Sequence, residues 1–200
     1  VLLHVKEGPA LSITAGASVC GFHITADSGP AVLIQAKNVS IYKSVIEAKK
    51  GDGLHIQSGS HIVIDHTEVA NCRGSGILAD SESRTELNYC QFHHNNRTHI
   101  KIMNRAIMQG CNTGLQKSAE GSGALVKGIL LLEYCLVASN AQVGIWVDEH
   151  GKFTARNCSI ESNGRCGIQA KAYSEVDLKG IRMHEIIEIM ADPKANVRSN

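Results

Sequence analysis

The sequence has few of the residues that would place it in several large classes of protein. It contains only 3 prolines and 4% aromatic residues among 200, and its 20 basic side chains are balanced by 19 acidic ones, for a net charge of +1. A chain with so little excess positive charge lacks the surface that neutralises nucleic-acid phosphates and the polybasic patch that binds acidic lipids. No apolar run approaches the roughly 18 residues of a membrane-spanning helix. We therefore expect neither a nucleic-acid partner nor a membrane partner.

What the sequence does contain is an internal repeat, visible in two recurring phrases. The first is a Gly followed by an apolar-x-apolar triplet, and it begins at Gly53, Gly76, Gly144 and Gly167, with the same step within each pair. The second is apolar-x-x-small-x-apolar, and its small position is occupied by Phe22, Ser44, Thr67, Cys90, Cys135, Cys158 and Ile181. The double step from Cys90 to Cys135 leaves room for one more repeat, in which Cys111 is the expected occupant.

The repeated segments have the pattern of short strands, because apolar and polar residues alternate and no helical pattern separates them. A period of about 23 residues with about three short strands predicts an all-β fold, a single-stranded parallel β-helix of about eight coils. We predict the β-helix over residues 1–183, with a loop insertion at about 112–123, where the sequence is polar and Gly-rich. Residues 184–200 are predicted to form a C-terminal cap, either a helix or an irregular strand, and a tail.

A third recurring residue type predicts how the coils stack. Asn71, Asn140 and Asn163 recur at one place in the repeat, and Asn95 lies one residue away from the expected place. We expect these asparagines to form a hydrogen-bonded ladder from coil to coil.

The sequence CSIESNGRCGI, residues 158–168, resembles the repeat of the pectin-lyase-like superfamily of parallel β-helices. The resemblance covers about residues 8–183 and implies a right-handed helix. That superfamily includes polysaccharide lyases, polygalacturonases, alginate epimerases and phage tailspikes. It also includes intracellular, non-enzymatic members, such as the β-helices of an F-box substrate receptor and of the SHC SH2-domain-binding protein. The frequent Cys at the small position is more similar to the intracellular group, although a shared fold does not determine function.

No set of catalytic residues can be assembled from the sequence. Glycoside hydrolysis needs two carboxyl groups about 5 to 9.5 Å apart. The acidic residues of the predicted outer rows, such as Asp80 and Asp148, recur three coils apart, at about 14 Å. The segment VIDH at residues 63–66 resembles the Trp-Ile-Asp-His segment of pectate lyases, but the Arg-x-Pro-x-x-Arg that carries the base is missing. We therefore predict no catalytic residues.

Histidine is frequent, with 10 residues in the chain, but it does not define a metal centre. His93, His94 and His99 are the densest group, and no matched set of converging ligands accompanies them. We expect no metal site and no cofactor, and His94 is a candidate member of the Asn ladder.

The seven cysteines predict a reducing environment. Cys90, Cys111, Cys135 and Cys158 are expected to point inward as small apolar side chains and to be inert. Parallel Cα–Cβ vectors on adjacent coils do not favour disulfides, so we expect free thiols and an intracellular location, cytoplasmic or nuclear. The chain starts at Val1 without a signal-peptide pattern, and we expect it to be part of a longer protein.

One outward row offers a candidate binding surface. The outward residues of the strand that follows each repeated Gly are Leu33, His55, Leu78, Lys101, Leu125, Trp146 and Gln169. Apolar side chains that stack on an outer face are typical of interaction surfaces. The leading hypothesis is therefore a non-catalytic β-helix that serves as a scaffold or binds a protein partner within a larger intracellular protein. The alternative is a polysaccharide-active lyase, hydrolase or epimerase, and a carbohydrate partner stays open.

Overall fold

Three parallel β-sheets run along the molecule in a computed structural model that describes residues 1–199. Sheet A contains nine strands, β1 (Leu2–Val5), β4 (His23–Ala26), β7 (Val45–Ala48), β10 (Glu68–Ala70), β13 (Gln91–His93), β16 (Gly114–Gln116), β19 (Leu136–Ala138), β22 (Ser159–Glu161) and β25 (Arg182–His184). Sheet B contains nine strands, β2 (Leu11–Ile13), β5 (Val32–Ile34), β8 (Leu54–Ile56), β11 (Ile77–Ala79), β14 (Ile100–Ile102), β17 (Ala124–Val126), β20 (Val143–Val147), β23 (Cys166–Ala170) and β26 (Ile189–Ala191). Sheet C contains nine strands, β3 (Ala17–Cys20), β6 (Val39–Tyr42), β9 (His61–Asp65), β12 (Arg84–Asn88), β15 (Ile107–Cys111), β18 (Ile129–Glu133), β21 (Lys152–Arg156), β24 (Glu175–Lys179) and β27 (Asn196–Ser199).

The chain visits sheets A, B and C in that order and then starts the next coil, so the molecule is a parallel β-helix. Every strand pairs in parallel with the equivalent strand one coil away, for example Leu54 with Ile77 and Ile77 with Ile100. The all-β parallel β-helix is thereby confirmed, with nine coils where about eight were predicted. Among residues 1–199 there is no helix long and apolar enough to cross a membrane.

The core lies inside the triangular coil and consists of stacked apolar rows. Along each strand the side chains alternate between the two faces of the sheet, so one set is buried and the other is outward. The predicted inward positions of sheet B, such as Ile34, Leu54, Ile77 and Val126, are fully buried. The inward rows of the sequence pattern are confirmed on this sheet.

A tight turn joins sheet C to sheet A in every coil, and it depends on one residue in the left-handed backbone conformation. The residues in this turn have φ between 46° and 72°, and they are Gly21, Lys43, His66, Tyr89, Asn112, Tyr134, Asn157 and Gly180. Only Gly adopts this conformation without a steric cost, and Asn tolerates it well. Because the turn is so short, the inward row continues from sheet C into sheet A with one small side chain at the corner.

The corner residue is the small position of the sequence repeat, and one of its predicted occupants is corrected. Gly114 pairs with Gln91 on one side and with Leu136 on the other, so the corner residue before it is Thr113 and not Cys111. Thr113 is buried, whereas Cys111 is half-buried on the outer face of sheet C. The polar corner side chains also donate a hydrogen bond to the carbonyl oxygen two residues earlier, at 3.0 Å from Ser44 and 3.2 Å from Thr113. The thiols of Cys90, Cys135 and Cys158 do the same at 3.2 to 3.3 Å.

Two other segments differ from the sequence prediction. The predicted loop at about 112–123 contains the strand β16, which continues sheet A, and only residues 117–123 connect it to sheet B. This strand was not predicted because its sequence, Gly-Leu-Gln, has a single large apolar residue and no apolar alternation. In the predicted cap and tail at 184–200, β26 and β27 pair with the preceding coil and extend sheets B and C.

The asparagine ladder is present at the connection from sheet A to sheet B, with a changed membership. Asn95, Asn140 and Asn163 are buried in one row, whereas Asn71 is exposed and belongs to the neighbouring left-handed row together with His94. The Oδ1 atom of Asn140 accepts the backbone N–H of Ser118 at 3.1 Å, and its Nδ2 donates to the Leu115 carbonyl at 3.1 Å. Asn140 Nδ2 also donates to Asn163 Oδ1 at 2.9 Å. The ladder therefore satisfies backbone groups that the turn leaves unpaired.

His99 contacts Asn95 of this ladder and is fully buried. Asn95 Nδ2 donates to its Nδ1 at 3.0 Å, which places the ring proton of the neutral form on Nε2. Burial lowers the pKa of His99 to about 4, although the backbone of Gln116 and the side chain of Asn140 oppose that shift.

We expect this histidine to make the protein less stable in mild acid. The unfolded chain takes up the His99 proton near pH 6.5, but the folded chain does so only near pH 4, so unfolding binds a proton in between. The free energy of unfolding should fall by about 3 kcal/mol from pH 7 to pH 4 on account of this residue. Urea unfolding of the wild type and of His99→Gln across this range measures the difference. The exposed His184→Gln variant is the control, and an equal pH slope in all three proteins would contradict the assignment.

Candidate functional site

The predicted binding row of sheet B forms a continuous stack on the outer face. Its seven residues, Leu33, His55, Leu78, Lys101, Leu125, Trp146 and Gln169, are in register from coil to coil. Gln169 is buried and the other six are half-buried. The Nε1 atom of Trp146 and the Oε1 atom of Gln169 are buried without a hydrogen-bond partner among the described residues. The Nζ atom of Lys171 lies 5.5 Å from the centre of the Trp146 ring.

Two acidic residues beside this row each have a basic neighbour. Asp80 lies 2.9 Å from His55 Nε2, and Asp148 lies 3.4 Å from Lys127 Nζ. The two carboxylates belong to coils that are three apart, as the sequence predicted, so sheet B offers no acid pair.

The three histidines of the sequence cluster do not converge on one point. His93 and His94 contact each other, with 2.8 Å between their Nδ1 atoms, while His99 points into the core. In the part of the chain that the structure describes, residues 1–199, no group of three or more His, Cys, Asp or Glu side chains could hold a metal ion.

Several polar and charged side chains lie together on the outer face of sheet C. A cavity of about 240 Å³ extends over the central coils and is lined by Glu86, Leu87, Asn88, Gln109, Gly110, Cys111, Leu131, Leu132, Glu133, Thr154 and Arg156. A second cavity of about 250 Å³ continues from it and shares Leu131 and Thr154. We call this continuous surface, which crosses β12, β15, β18, β21, β24 and β27, the sheet-C cleft.

The sequence prediction did not single out the sheet-C cleft because it required two carboxyl groups close together, and the acids of this row, Asp65 and Glu133, lie three coils apart. Placing Cys111 at the small position also put Gln109, two residues earlier, in the row of Asn88 and Glu133, whereas Cys111 pairs with both of them. With Cys111 in the row, the outward residues at this edge of sheet C are Tyr42, Asp65, Asn88, Cys111, Glu133, Arg156 and Lys179. The signal that could have corrected it is the spacing from Cys90 to Thr113, which equals the spacing from Thr67 to Cys90 in the preceding repeat.

The charges in this row change sign between Glu133 and Arg156, which both line the first cavity. Glu133 and Arg156 are in register on adjacent strands, so their Cα atoms lie about 4.8 Å apart. Both side chains are exposed, and neither makes an ion pair within 4 Å among residues 1–199. Lys179 follows Arg156 on the next strand and adds a second unpaired cation. By contrast, Lys152 in the second cavity is paired with Glu175 at 2.8 Å.

Two of the other acids near the first cavity have histidine partners, whereas Glu175 and Asp177 line the second cavity. Glu86 lies 3.8 Å from His61, and the Asp65 side chain contacts His66 at 2.8 Å. The segment at 63–66 therefore forms a local Asp–His pair at the edge of sheet C. Glu133 is the one carboxylate lining the first cavity that has no such partner among the described residues.

The free thiols fall into two classes. All seven cysteines are unbridged, as predicted, but only five are buried, while Cys20 is exposed and Cys111 is half-buried in the sheet-C cleft. Burial raises the pKa of the Cys72 thiol to about 12 and that of Cys90 to about 11. A hydrogen bond with Cys158, together with burial, raises the pKa of Cys135 as well. These groups stay protonated at neutral pH and are poor nucleophiles.

We expect a soluble thiol reagent to modify two cysteines of the native protein at pH 8, Cys20 and Cys111, and all seven after denaturation. The buried thiols are protected because they are inaccessible, and burial also keeps Cys72 and Cys90 protonated. Mass spectrometry after alkylation counts the modified residues, and Cys111→Ser should lower the native count to one. Modification of a third thiol in the native state would contradict the burial of the corner row.

Comparison with known proteins agrees with the fold. The family described as "Right handed beta helix region" matches residues 14–181. The chain therefore belongs to the right-handed β-helix family, and the resemblance to the pectin-lyase-like superfamily is confirmed. No curated protein sequence matches the chain.

Several solved structures share this architecture. An alginate lyase from Paenibacillus sp. str. FPU-7 superimposes with a TM-score of 0.82 at 13% identity, over 98% of this chain and 79% of the lyase. The pectate lyase Pel9A gives 0.63 at 11% identity, over 90% of this chain and 55% of the lyase. The A-module of the mannuronan C-5 epimerase AlgE6 from Azotobacter vinelandii gives 0.62 at 16% identity, over 90% of this chain and 54% of the module. At these identities the likeness establishes the fold alone.

Proposed function

We propose that the chain binds a uronate-containing polysaccharide along the sheet-C cleft and acts on it by proton abstraction next to the uronate carboxylate. The observation that carries this proposal is the pair of Glu133 and Arg156, which line the first cavity, are in register and exposed, and form no ion pair within residues 1–199. Three proteins of similar fold are enzymes named for alginate, pectate and mannuronan, which are uronate polymers. Their likeness supports this choice among polar polymers.

Glu133 and Arg156 have complementary roles in such a reaction. The guanidinium of Arg156 can hold a carboxylate through two parallel hydrogen bonds, and it stabilises the negative charge that develops when the neighbouring C–H bond breaks. Glu133 lies on the adjacent strand, and its carboxylate can accept that proton as a general base. The electron pair of the C–H bond then forms a C=C bond and expels the glycosidic oxygen, which takes up a proton from solvent water. Alternatively, the carbon is reprotonated on its opposite face, which inverts it without cleavage.

The shape of the sheet-C cleft suits a long ligand. The two cavities share Leu131 and Thr154, so the surface is continuous across six adjacent strands of sheet C. Lys179 extends the positive charge by one coil beyond Arg156, where a carboxylate further along the same polymer would lie. A chain bound parallel to the helix axis would therefore meet a cation near more than one sugar.

We expect Glu133→Gln to reduce turnover of polygalacturonate or alginate at least 100-fold while leaving binding nearly unchanged, because only the base is lost. Arg156→Met should weaken binding of the same polymers roughly 10- to 100-fold, since it removes a charge-assisted hydrogen bond. Unsaturated products are measured by absorbance, and epimerisation by exchange of the carbon-bound hydrogen with deuterated solvent. Glu7→Gln, which changes an exposed carboxylate far from the cleft, is the matched control.

This proposal is refuted if neither polymer is bound, cleaved or exchanged by the wild type. It is also refuted if Glu133→Gln retains full turnover. Because Glu133 and Arg156 are exposed, neither substitution should unfold the protein, and a thermal melt verifies this.

A second candidate function, protein binding within a larger intracellular protein, is favoured by the outer row of sheet B. This row places Leu33, Leu78, Leu125 and Trp146 on one line, and Trp146 leaves a buried N–H without an acceptor among the described residues. Protein interfaces are enriched in Trp, and buried polar groups of such residues usually find a partner on binding. The free thiols agree with an intracellular location.

We expect Trp146→Ala to reduce the affinity for such a partner about 30-fold and to leave polysaccharide turnover unchanged. Cross-linking from cells of the source organism, with wild-type and Trp146→Ala chains as bait, measures the loss. Glu133→Gln is the matched control, because it should retain the same protein partners. If no cross-linked protein depends on Trp146, this second function is excluded.

A further inference from the structure

Three of the four tyrosines occupy turn residues in the left-handed backbone conformation. Tyr89, Tyr134 and Tyr173 have φ of 52°, 53° and 61°, and their side chains are 54%, 57% and 54% exposed. Exposed aromatic rings are unexpected in a chain with only 4% aromatic residues, since its Phe side chains at 92 and 153 are fully buried.

The fold does not need tyrosine at these positions. The turn from sheet C to sheet A contains Tyr89 and Tyr134, but the other coils have a different residue in the same conformation, namely Gly21, Lys43, His66, Asn112, Asn157 and Gly180. A residue with a Cβ atom is strained there, and Gly or Asn would be more stable. Burial of the rings does not compensate for this strain, because more than half of each side chain is exposed to solvent. A strained, exposed aromatic residue therefore points to a function and not to stability.

Both tyrosines of this turn border the sheet-C cleft. Tyr89 directly follows Asn88, and Tyr134 directly follows Glu133, and both of these neighbours line the first cavity. The turn with Asn112 lies between them, so the two tyrosines are separated by two coils, or about 10 Å. That separation is close to the length of one disaccharide in an extended polymer.

Stacked neighbours extend the aromatic surface on both borders of sheet C. The ring of His66 stacks on Tyr89 with 4.8 Å between centroids and an interplanar angle of 26°. On the opposite border, where the chain enters sheet C, Tyr173 stacks on His150 at 5.5 Å and 9°. Flat, broad surfaces of this kind match the apolar C–H face of a pyranose ring, and the tyrosine hydroxyl can bond to sugar hydroxyls.

We propose that Tyr89 and Tyr134 are stacking platforms for alternate pyranose rings of one extended polysaccharide that runs along the helix axis over the sheet-C cleft. This inference rests on the proposed function and specifies how that ligand is held. Arg156 and Lys179 bind its carboxylates, while the tyrosine ridge, Tyr89 and Tyr134, fixes the height and orientation of its rings. A uronate polymer fits both features, because its sugars carry a carboxylate on one edge and an apolar face.

The test uses substitutions that relieve backbone strain while removing the ring. Tyr89→Asn and Tyr134→Asn should each raise the melting temperature by about 1–3 °C, because Asn tolerates the left-handed conformation. Each should weaken binding of polygalacturonate or alginate oligosaccharides roughly 3- to 10-fold, which is the value of an aromatic stacking contact. Tyr134→Phe keeps the ring and should bind within about twofold of the wild type.

The matched control is His94→Asn. His94 is exposed, carries a ring and has φ of 53°, but it lies at the connection from sheet A to sheet B, away from the sheet-C cleft. It should gain stability like the tyrosine variants and lose no affinity. Calorimetric titration with oligosaccharides of both polymers and thermal melts of all four variants supply the measurements.

The outcomes separate this inference from the proposal on which it rests. If the wild type binds neither oligosaccharide, the proposed function fails and the platforms fail with it. If the wild type binds and Tyr89→Asn and Tyr134→Asn bind equally well, the platforms are disproved while the function stands. A melting temperature lowered by either tyrosine substitution would also disprove the inference, because the rings would then serve the fold.

Discussion

The whole helix depends on the turn from sheet C to sheet A, which one left-handed residue makes in each of eight coils. This turn fixes the length of chain at one corner, so the strands on both sides of it keep their register from coil to coil. The corner residue that follows has little space, and it is Ser, Thr or Cys in the six central coils, from Ser44 to Cys158. Its hydroxyl or thiol donates to the carbonyl two residues earlier, which a larger apolar side chain could not do. The cysteines therefore serve the turn as donors as well as small apolar side chains.

The repeat, the strands and the buried rows of sheet B could be predicted from the sequence because they follow one nearly constant period. The misplaced corner residue, Cys111 instead of Thr113, comes from one coil whose connections differ in length from those of its neighbours. The connection from β17 to β18 has only two residues, 127 and 128, where the flanking coils have four. The preceding connection, 117–123, is longer than its equivalent at 94–99, and the two changes together bring Thr113 and Cys135 one position closer in sequence than Cys90 and Thr113. Gly128 permits the short connection, since a Cβ atom there would overlap the Ala106 carbonyl oxygen.

That local change explains why the candidate site was harder to predict than the fold. The prediction of an inward row is little affected by a wrong register in one coil, because most residues of the row are interchangeable apolar side chains. An outward row does not, because its function depends on which individual side chains are neighbours. Placing Cys111 at the corner instead of Thr113 moved Gln109 into the row of Glu133 and Arg156, so the neighbour of Glu133 on the preceding coil was misidentified. Asn95 and Asn71 show the same limit, since a shift of one residue exchanges a buried ladder position for an exposed left-handed one.

The same distinction between inward and outward rows explains how one fold can carry different activities. Inward residues and the corner turn determine stability, so they are uniform from coil to coil, whereas outward residues such as Glu133 and Arg156 contribute little to the fold and are free to differ. The left-handed turns lie between these two sets. They belong to the framework, but their side chains point outward. A residue that is strained in the left-handed conformation therefore indicates a function only when less strained residues occupy the same turn in other coils. Tyr89 and Tyr134 meet that condition, because Asn112 lies between them in the same turn and shows what the fold alone requires.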